Sequence, residues 1–330
     1  MTALRRSKNV QQVRGSRPVE RERTLATLER AVSFLVGVRS PDGPWRDFDL
    51  EPGVSDVWVT AYVGLALLAA APIAGIPETT AAVGEAASWC RAQMRADGSW
   101  GYNGLVPSDS DSTAHAVLLL DALEEGVPTA CLEWLLRLQR PDGGIATFAR
   151  TDPTHSWGLS HPDVTPVVLQ ALKVWLPVSS SAFQRGLTYV RSNQQADGLW
   201  RSFWWSSPLY GTLMSVRLLE STVTPYERGK ALNRAARTAP VGAFEGALRG
   251  ELLAWLGADS STISRAAASL SATQLDDGSW PTVPMLRVTD PGSAKPWELT
   301  QAGSLAADQN QIFTTATVVR ALALMTSTDS

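Results

Sequence analysis

Gln93-Met-Arg-Ala-Asp-Gly-Ser-Trp100 is a short polar break between two apolar stretches, and the chain repeats it. Arg39-Ser-Pro-Asp-Gly-Pro-Trp45, Gln139-Arg-Pro-Asp-Gly-Gly144, Gln194-Gln-Ala-Asp-Gly-Leu-Trp200 and Gln274-Leu-Asp-Asp-Gly-Ser-Trp280 follow the same pattern. The Asp-Gly pairs begin at 42, 97, 142, 197 and 277. Because the last interval is about twice a unit of about 40 residues, a degenerate sixth copy is expected near 225–256. Six units then run from about residue 24 to the end of the 330-residue sequence.

Each unit has one internal order. An amphipathic stretch such as Val83–Met94 or Ala182–Gln194 comes first, with apolar positions three and four apart, and predicts an outer helix. Asp-Gly stops it, since glycine accepts the left-handed conformation at a helix end and aspartate favours turns. A polar loop follows, then a stretch apolar nearly all round, which predicts a buried inner helix. Inner helices are expected near 58–70, 113–123, 163–176, 208–219, 241–256 and 313–325. Thr60, Thr165 and Thr315 each precede an Ala-Leu pair by six residues, so the inner register repeats too.

Alternating amphipathic and all-apolar helices predict an all-α fold, an (α/α)6 toroid in which an inner ring is covered by an outer one. An open solenoid is the competing arrangement. It would need a polar capping repeat at each end, and neither end has one. Residues 1–23, basic through Arg5, Arg6, Lys8, Arg14, Arg17, Arg21 and Arg23, read as a flexible tail ahead of a single domain over 24–330.

The formal charge of −3 supplies no global field for nucleic acid. The paired arginines precede no apolar h-region of a secretory signal, and no run is expected to reach the roughly 18 apolar residues of a membrane span, which points to a soluble, cytoplasmic protein. Cys90 and Cys131 sit within helical patterns and read as reduced structural thiols. Thirteen tryptophans against five tyrosines call for an explanation.

The Gln-x(2–3)-Asp-Gly-x-Trp element resembles the QW repeat of squalene-hopene cyclases and their prenyltransferase relatives, over nearly the whole chain. The resemblance implies the hydrocarbon-handling β-type toroid of class II terpene cyclases, with Trp45, Trp100, Trp200 and Trp280 as structural links between hairpins. It also points to Pro107-Ser-Asp109-Ser-Asp111-Ser-Thr113-Ala114, which is similar to the family's Asp-x-Asp-Asp-Thr-Ala motif. Carried over position by position, Asp111 is the acid that protonates a terminal alkene or epoxide, Asp109 is the first aspartate, and Ser112 replaces the third.

An acid for this task must keep its proton near neutrality and leave a stabilised carboxylate after transfer. Asp109 and an apolar wall would raise the pKa of Asp111, and Ser110, Ser112 and the helix N-terminus would stabilise the base that forms. An N-cap reading of the same string stays open, because Asp, Ser and Thr are standard caps. Asp163, in His161-Pro-Asp163-Val-Thr165, stands two residues before its threonine as Asp111 does, so all three carboxyls are expected at one end of a central cavity. That segment resembles the family's Asp-Val-Thr-Ala-His stretch, whose histidine supports the acid. Val167 occupies the histidine's place, and His115 and His161 are the nearby substitutes, each also readable as an ordinary buried or loop histidine.

Aromatic faces stabilise a carbocation without trapping it. Trp58, Trp157, Phe203, Trp204, Trp205, Tyr210 and Phe313 lie at loop-to-inner-helix junctions and are the candidate substrate-binding residues, with core packing as their plain alternative. No cofactor and no metal are expected: the Asp-x-Cys zinc pattern of protein prenyltransferases, an Asp-rich magnesium motif, a P-loop and a dinucleotide fingerprint are absent from the sequence. The leading function is a class II-like terpene cyclase or isomerase acting by protonation of a hydrophobic prenyl or polyene substrate. The alternative is a carboxylate-based hydrolase or lyase, or a non-catalytic binding protein, on the same toroid. With residues for one toroid only, the cavity must be closed by its own loops, by a second copy as in a homodimer, or by a partner such as a membrane surface.

Overall fold

The computed structural model describes the backbone of residues 2–149, 152, 154–220 and 222–328, with side chains from residue 20 onward within them. Among these the inner helices are α2 (Val57–Ala74), α4 (Ser110–Ala122), α6 (Val164–Leu172), α8 (Pro208–Leu219), α10 (Gly242–Trp255) and α12 (Ile312–Thr328). The outer helices are α1 (Thr2–Gly37), α3 (Glu78–Ala92), α5 (Thr129–Arg137), α7 (Ser181–Ser192), α9 (Pro225–Arg237) and α11 (Ser260–Ser271). Neighbouring inner helices pack in chain order, and α12 packs back on α2, so the ring is closed. The unit lacking an Asp-Gly signature is the α9–α10 hairpin, as its spacing required.

The repeated turn explains the closure. Each turn tryptophan donates its indole N–H to a carbonyl ten residues earlier: Trp45 to Leu35 (2.6 Å), Trp100 to Cys90 (2.7 Å), Trp200 to Val190 (2.6 Å) and Trp280 to Leu270 (2.8 Å). Orphan carbonyls at the ends of α1, α3, α7 and α11 are thereby satisfied by a buried ring. The inner-helix threonines fix the next step, since Thr60, Thr113 and Thr212 accept the backbone N–H of Trp45, Trp100 and Trp200, and Thr165 that of Ile145. Glycine is required here for two reasons. Gly198 has φ of +89°, and a Cβ on it would stand 2.7 Å from the Lys230 carbonyl carbon of the next outer helix.

The glutamines tie one unit to the next. Gln139 donates to Gly143 and Ala182, Gln194 to Gly198 and Glu227, and Gln274 to Gly278 and, across the seam of the ring, to Thr27 O at 2.9 Å. Gln274→Ala is expected to cost about 1–3 kcal/mol in urea denaturation, because both carbonyls lose their donor at a joint where the last turn meets α1.

Two short antiparallel hairpins, β1 (Asp47–Leu50) with β2 (Gly53–Ser55) and β3 (Leu286–Thr289) with β4 (Gly303–Ala306), belong to the long loops before α2 and α12. Those loops, with 101–109, 201–207 and the described residues of 145–163, gather at the N-terminal ends of the inner helices. The backbone of residues 2–23, within the segment read above as a flexible tail, is helical and runs on into the rest of α1, in keeping with the helix propensity of its Arg, Lys, Gln and Glu, while the side chains through residue 19 lie outside the described residues. One expectation needs correction: Val57–Ala74 is long and apolar enough to cross a membrane, at a mean hydropathy of 1.9, but it is a ring helix with 67% of that window buried. An inner helix enclosed on every side looks like a membrane span in sequence because both must be apolar all round.

Candidate active site

Asp109 ends an extended loop and caps α4: its carboxylate accepts Ser112 N–H at 2.7 Å and Ser112 Oγ–H at 2.8 Å. The capping role therefore falls on Asp109 and leaves Asp111 without one. The Asp111 carboxyl takes no hydrogen bond from any described residue. Its side chain is 17% exposed, and burial alone lifts its pKa to about 7.

Asp163 stands at the head of α6 but does not cap it. Its Oδ2 accepts Phe203 N–H at 2.8 Å and Trp204 N–H at 2.9 Å from the loop before α8, and its Oδ1 is buried with no partner. Burial raises Asp163 to about 7 against the pull of those amides, and the charge of Asp111 adds to the rise. Asp109 is likewise at about 7, through burial first, opposed by Ser112 and helped by Asp111. All three carboxyls thus share one end of the ring, each within the field of Asp111. The serines do not assist Asp111 as expected: Ser112 is taken by Asp109, and Ser110 Oγ donates to Ala146 O at 2.8 Å, tying α4 to the next loop.

Below this acidic end the centre of the ring is aromatic. Trp205 stacks on Tyr210 (4.4 Å), Phe244 (5.0 Å) and Phe313 (5.3 Å), while Trp58 lies 4.8 Å from Phe313 and 5.8 Å from Trp205. Tyr62 stacks on Phe313 at 4.0 Å. The Tyr210 hydroxyl and the Trp58 indole N–H are buried without partners, and Tyr210 feels the charge of both Asp111 and Asp163. Unmet polar atoms beside stacked rings mark the centre as a place where a ligand could be received.

No family model matches the sequence. The chain is 26% identical to drimenyl diphosphate synthase of Streptomyces showdoensis over 77% of its own length and 40% of that protein's. It is 29% identical to copalyl diphosphate synthase of Streptomyces cyslabdanicus over 65% of its length and 39% of that protein's. It therefore spans no more than about two fifths of these curated relatives. Its structure superimposes on the type II terpene cyclase MstE from Scytonema with a TM-score of 0.82 at 25% identity, covering 94% of this chain and 99% of that one, in a complex of a MstE variant with geranylgeranyl dihydroxybenzoate as substrate.

The chain has a class II terpene cyclase-like fold.

In this cyclase-like toroid the aromatic candidates divide into two groups. Trp58, Trp205, Tyr210 and Phe313 face the centre, joined by Tyr62 and Phe244, which lie inside predicted inner helices where aromatic residues read as core. Phe203, Trp204 and Trp157 instead build the layer that closes the acidic end. Trp204 Nε1 donates to Thr147 Oγ1 (2.8 Å), Trp157 Nε1 to Thr289 O (2.7 Å), and Thr289 Oγ1 to Phe203 O (2.9 Å). Strand β3 is bridged at Leu286 to Trp205. The toroid thus covers its acidic end with its own loops.

The two histidines also part company. His161 is stacked on Phe203 at 3.8 Å and held through both nitrogens, with Nδ1 to Thr147 Oγ1 (2.6 Å) and Nε2 to Ser156 O (2.9 Å). Burial holds its pKa down to about 3, so it is a neutral brace for the loop layer. His115, one turn beyond Asp111, is neutral as well, its pKa lowered to about 4 by burial. A neutral ring beside the Asp111 carbonyl must donate from Nδ1 (2.9 Å), and the same nitrogen lies 3.5 Å from the Asp111 carboxyl. His115 is the histidine that reaches Asp111, while His161 serves the loops. Among the described residues no group of carboxylate, histidine and cysteine side chains is placed to hold a metal ion.

Proposed function

We propose that this toroid cyclises a prenyl or polyene chain, with Asp111 as proton donor and residues 24–330 acting as one domain. The observation that carries the reading is a buried, donor-free carboxyl at Asp111, at the head of a ring of stacked aromatic faces. The carboxyl O–H adds its proton to the terminal alkene carbon, and the resulting tertiary cation is attacked by the next double bond of the folded chain. The last cation loses a proton or takes up water, which returns a proton to the site. Burial holds the Asp111 proton, Asp109 and Asp163 flank it at the same end of the ring, and His115 orients the first turn of α4. Trp58, Trp205, Tyr210 and Phe313 offer ring faces to the moving charge. Phe203, Trp204, Trp157 and His161 keep water from it. MstE, whose substrate complex carries a geranylgeranyl chain on an aromatic acid, supports the substrate class. Burial of α2 in the ring and the two free, buried cysteines support a cytoplasmic location.

The test is turnover of geranylgeranyl- and farnesyl-bearing substrates in deuterated water. Cyclic product should carry one deuterium at the ring methylene formed from the terminal alkene CH that received the proton, and product without deuterium there would sink the mechanism. The pH dependence follows from the donor's protonation. Asp111 holds its proton below about 7 and loses it above, so kcat should be level on the acid side and fall tenfold per unit on the alkaline side.

A further inference from the structure

Among the described residues three besides glycine have a left-handed backbone: Phe48 (φ 54°), Glu124 (φ 55°) and Gln311 (φ 59°). Glu124 is an exposed turn residue after α4, but a fully buried phenylalanine in this conformation is an outlier that its surroundings must hold. Phe48 is the extra residue of a bulge in β1, where Asp47 pairs with Ser55 and Asp49 with Val54. A regular strand would send Asp47 and Phe48 to opposite faces, and the bulge turns both inward. Glycine would adopt this backbone without strain. Phenylalanine adds a ring, stacked on Trp58 at 5.6 Å and edge-on to Phe313 at 5.3 Å.

The buried carboxylate of Asp47 holds the strained backbone in place. It accepts Phe48 N–H at 2.9 Å, Asn310 N–H at 3.0 Å and Ile312 N–H at 2.9 Å. One side chain thus grips both left-handed positions, Phe48 directly and Gln311 through the amides on either side of it. The Tyr102 hydroxyl donates to the Phe48 carbonyl from the next loop. These bonds join the loop before α2 to the start of α12, and Trp58 and Phe313 are the second residues of those two helices.

We infer that Phe48 is a positioning residue of the cyclisation: fixed by Asp47, its ring backs Trp58 and Phe313 and sets the direction in which their faces meet the cationic chain. This rests on the cyclase reading above and deepens it. Direction matters because an aromatic ring is negative on its face and positive at its edge, so a tilted ring repels the charge it would otherwise stabilise. Trp157 and Trp204 are oriented by their own N–H bonds, whereas the Trp58 indole N–H is buried without a partner and Phe313 has no polar atom. Only the rings packed against these two can orient them. A residue needed merely to fill volume has no reason to occupy a strained bulge, while a ring that must approach from this one side does.

The experiment is calorimetric titration with two isoprenoid alcohols alike except at the far end, one closing in a dimethylammonium group where the first cation would form and the other in a neutral isopropyl group. The full-length Asp111→Asn protein is the reference, at about pH 6, so that no charge stands at 111 and Asp109 and Asp163 hold their protons. The ammonium ligand is expected to bind at least about tenfold more tightly than the neutral one. Phe48→Leu in the same background should bring the two to within about threefold, chiefly by weakening the ammonium ligand. A ring that only fills the core would cost stability and leave the preference as it was. That result from a folded Phe48→Leu protein overturns the inference, and so does a reference protein without the preference. If Phe48→Leu does not fold, Asp47→Asn decides in its place, because the amide keeps the shape of the carboxylate and loses an acceptor: a preference reduced by at least about threefold supports the inference and an unchanged one overturns it. Because the readout is a binding preference, failure of the cyclase reading would appear separately, as an unsubstituted protein that forms no cyclic product.

Discussion

Asp111→Asn should lower turnover by at least about 10³-fold while the protein folds as before, because the amide matches the carboxylic acid in shape and cannot deliver the proton. The structure makes this test cleaner than the sequence allowed. A cap residue would confound it, but Asp109 is the residue that accepts the first-turn amide of α4, and the Asp111 carboxyl bonds to no described residue. The change should therefore leave thermal stability near neutrality unaltered or raised, since it removes a buried group that becomes charged. The sign can be checked by titration. A carboxyl at about 7 in the folded chain and near 3.8 unfolded binds its proton more tightly when folded, so stability falls as pH rises between those values and is level above them. Asp111→Asn should reduce that slope, with the remainder due to Asp109, Asp163 and Asp308, each also raised to about 7. Asp109→Asn should retain the cap and lose only part of the activity. An Asp111→Asn protein with normal fold and near-normal turnover would end the proton-donor assignment.

Trp200→Ala should destabilise the fold by about 3–5 kcal/mol. The ring is 1% exposed and packs where α7 turns toward α8, and truncation would open a cavity there and leave Val190 O without its 2.6 Å donor. Trp200→Phe separates the two contributions, because it keeps most of the packing and loses the hydrogen bond, at about 1–2 kcal/mol. Urea denaturation of both variants checks the prediction. A loss below about 1 kcal/mol for Trp200→Ala, at unchanged denaturant slope, would show that the turn tryptophans are not the joints of the ring.

Asp109 and Asp111 were legible through their likeness to a family motif, and their gathering with Asp163 through the repeat. Asp111 and Asp163 occupy equivalent positions before Thr113 and Thr165, and two equivalent positions in adjacent hairpins must point to the same end of a closed ring. The hydrogen bonds around them were not legible. Ser112 could have turned toward Asp111 or Asp109, and only the extended backbone at Asp109, with φ of −130° and ψ of 155°, sends it to the latter. Arg217, Glu251 and Arg320 went unread although a signal was present, namely charged residues inside helices that are otherwise apolar all round.

By itself the sequence determined the hairpin, its sixfold repetition, the closed ring and the end at which the carboxyls gather. Those properties are local or periodic: a glycine turn, a helix face, a threonine register and a turn tryptophan act within one unit and recur in the next. The tertiary structure alone decided which junction aromatics turn inward and which build the covering layer, and where the second charged cluster lies. Trp205 meets Phe313, Tyr62 meets Phe313 and Arg320 meets Glu251 at long range in the chain, the separations running from 69 positions for Arg320 and Glu251 to 255 for Tyr62 and Thr317, and a period of about 40 residues states only that such helices are neighbours, not which of their side chains fill the same space.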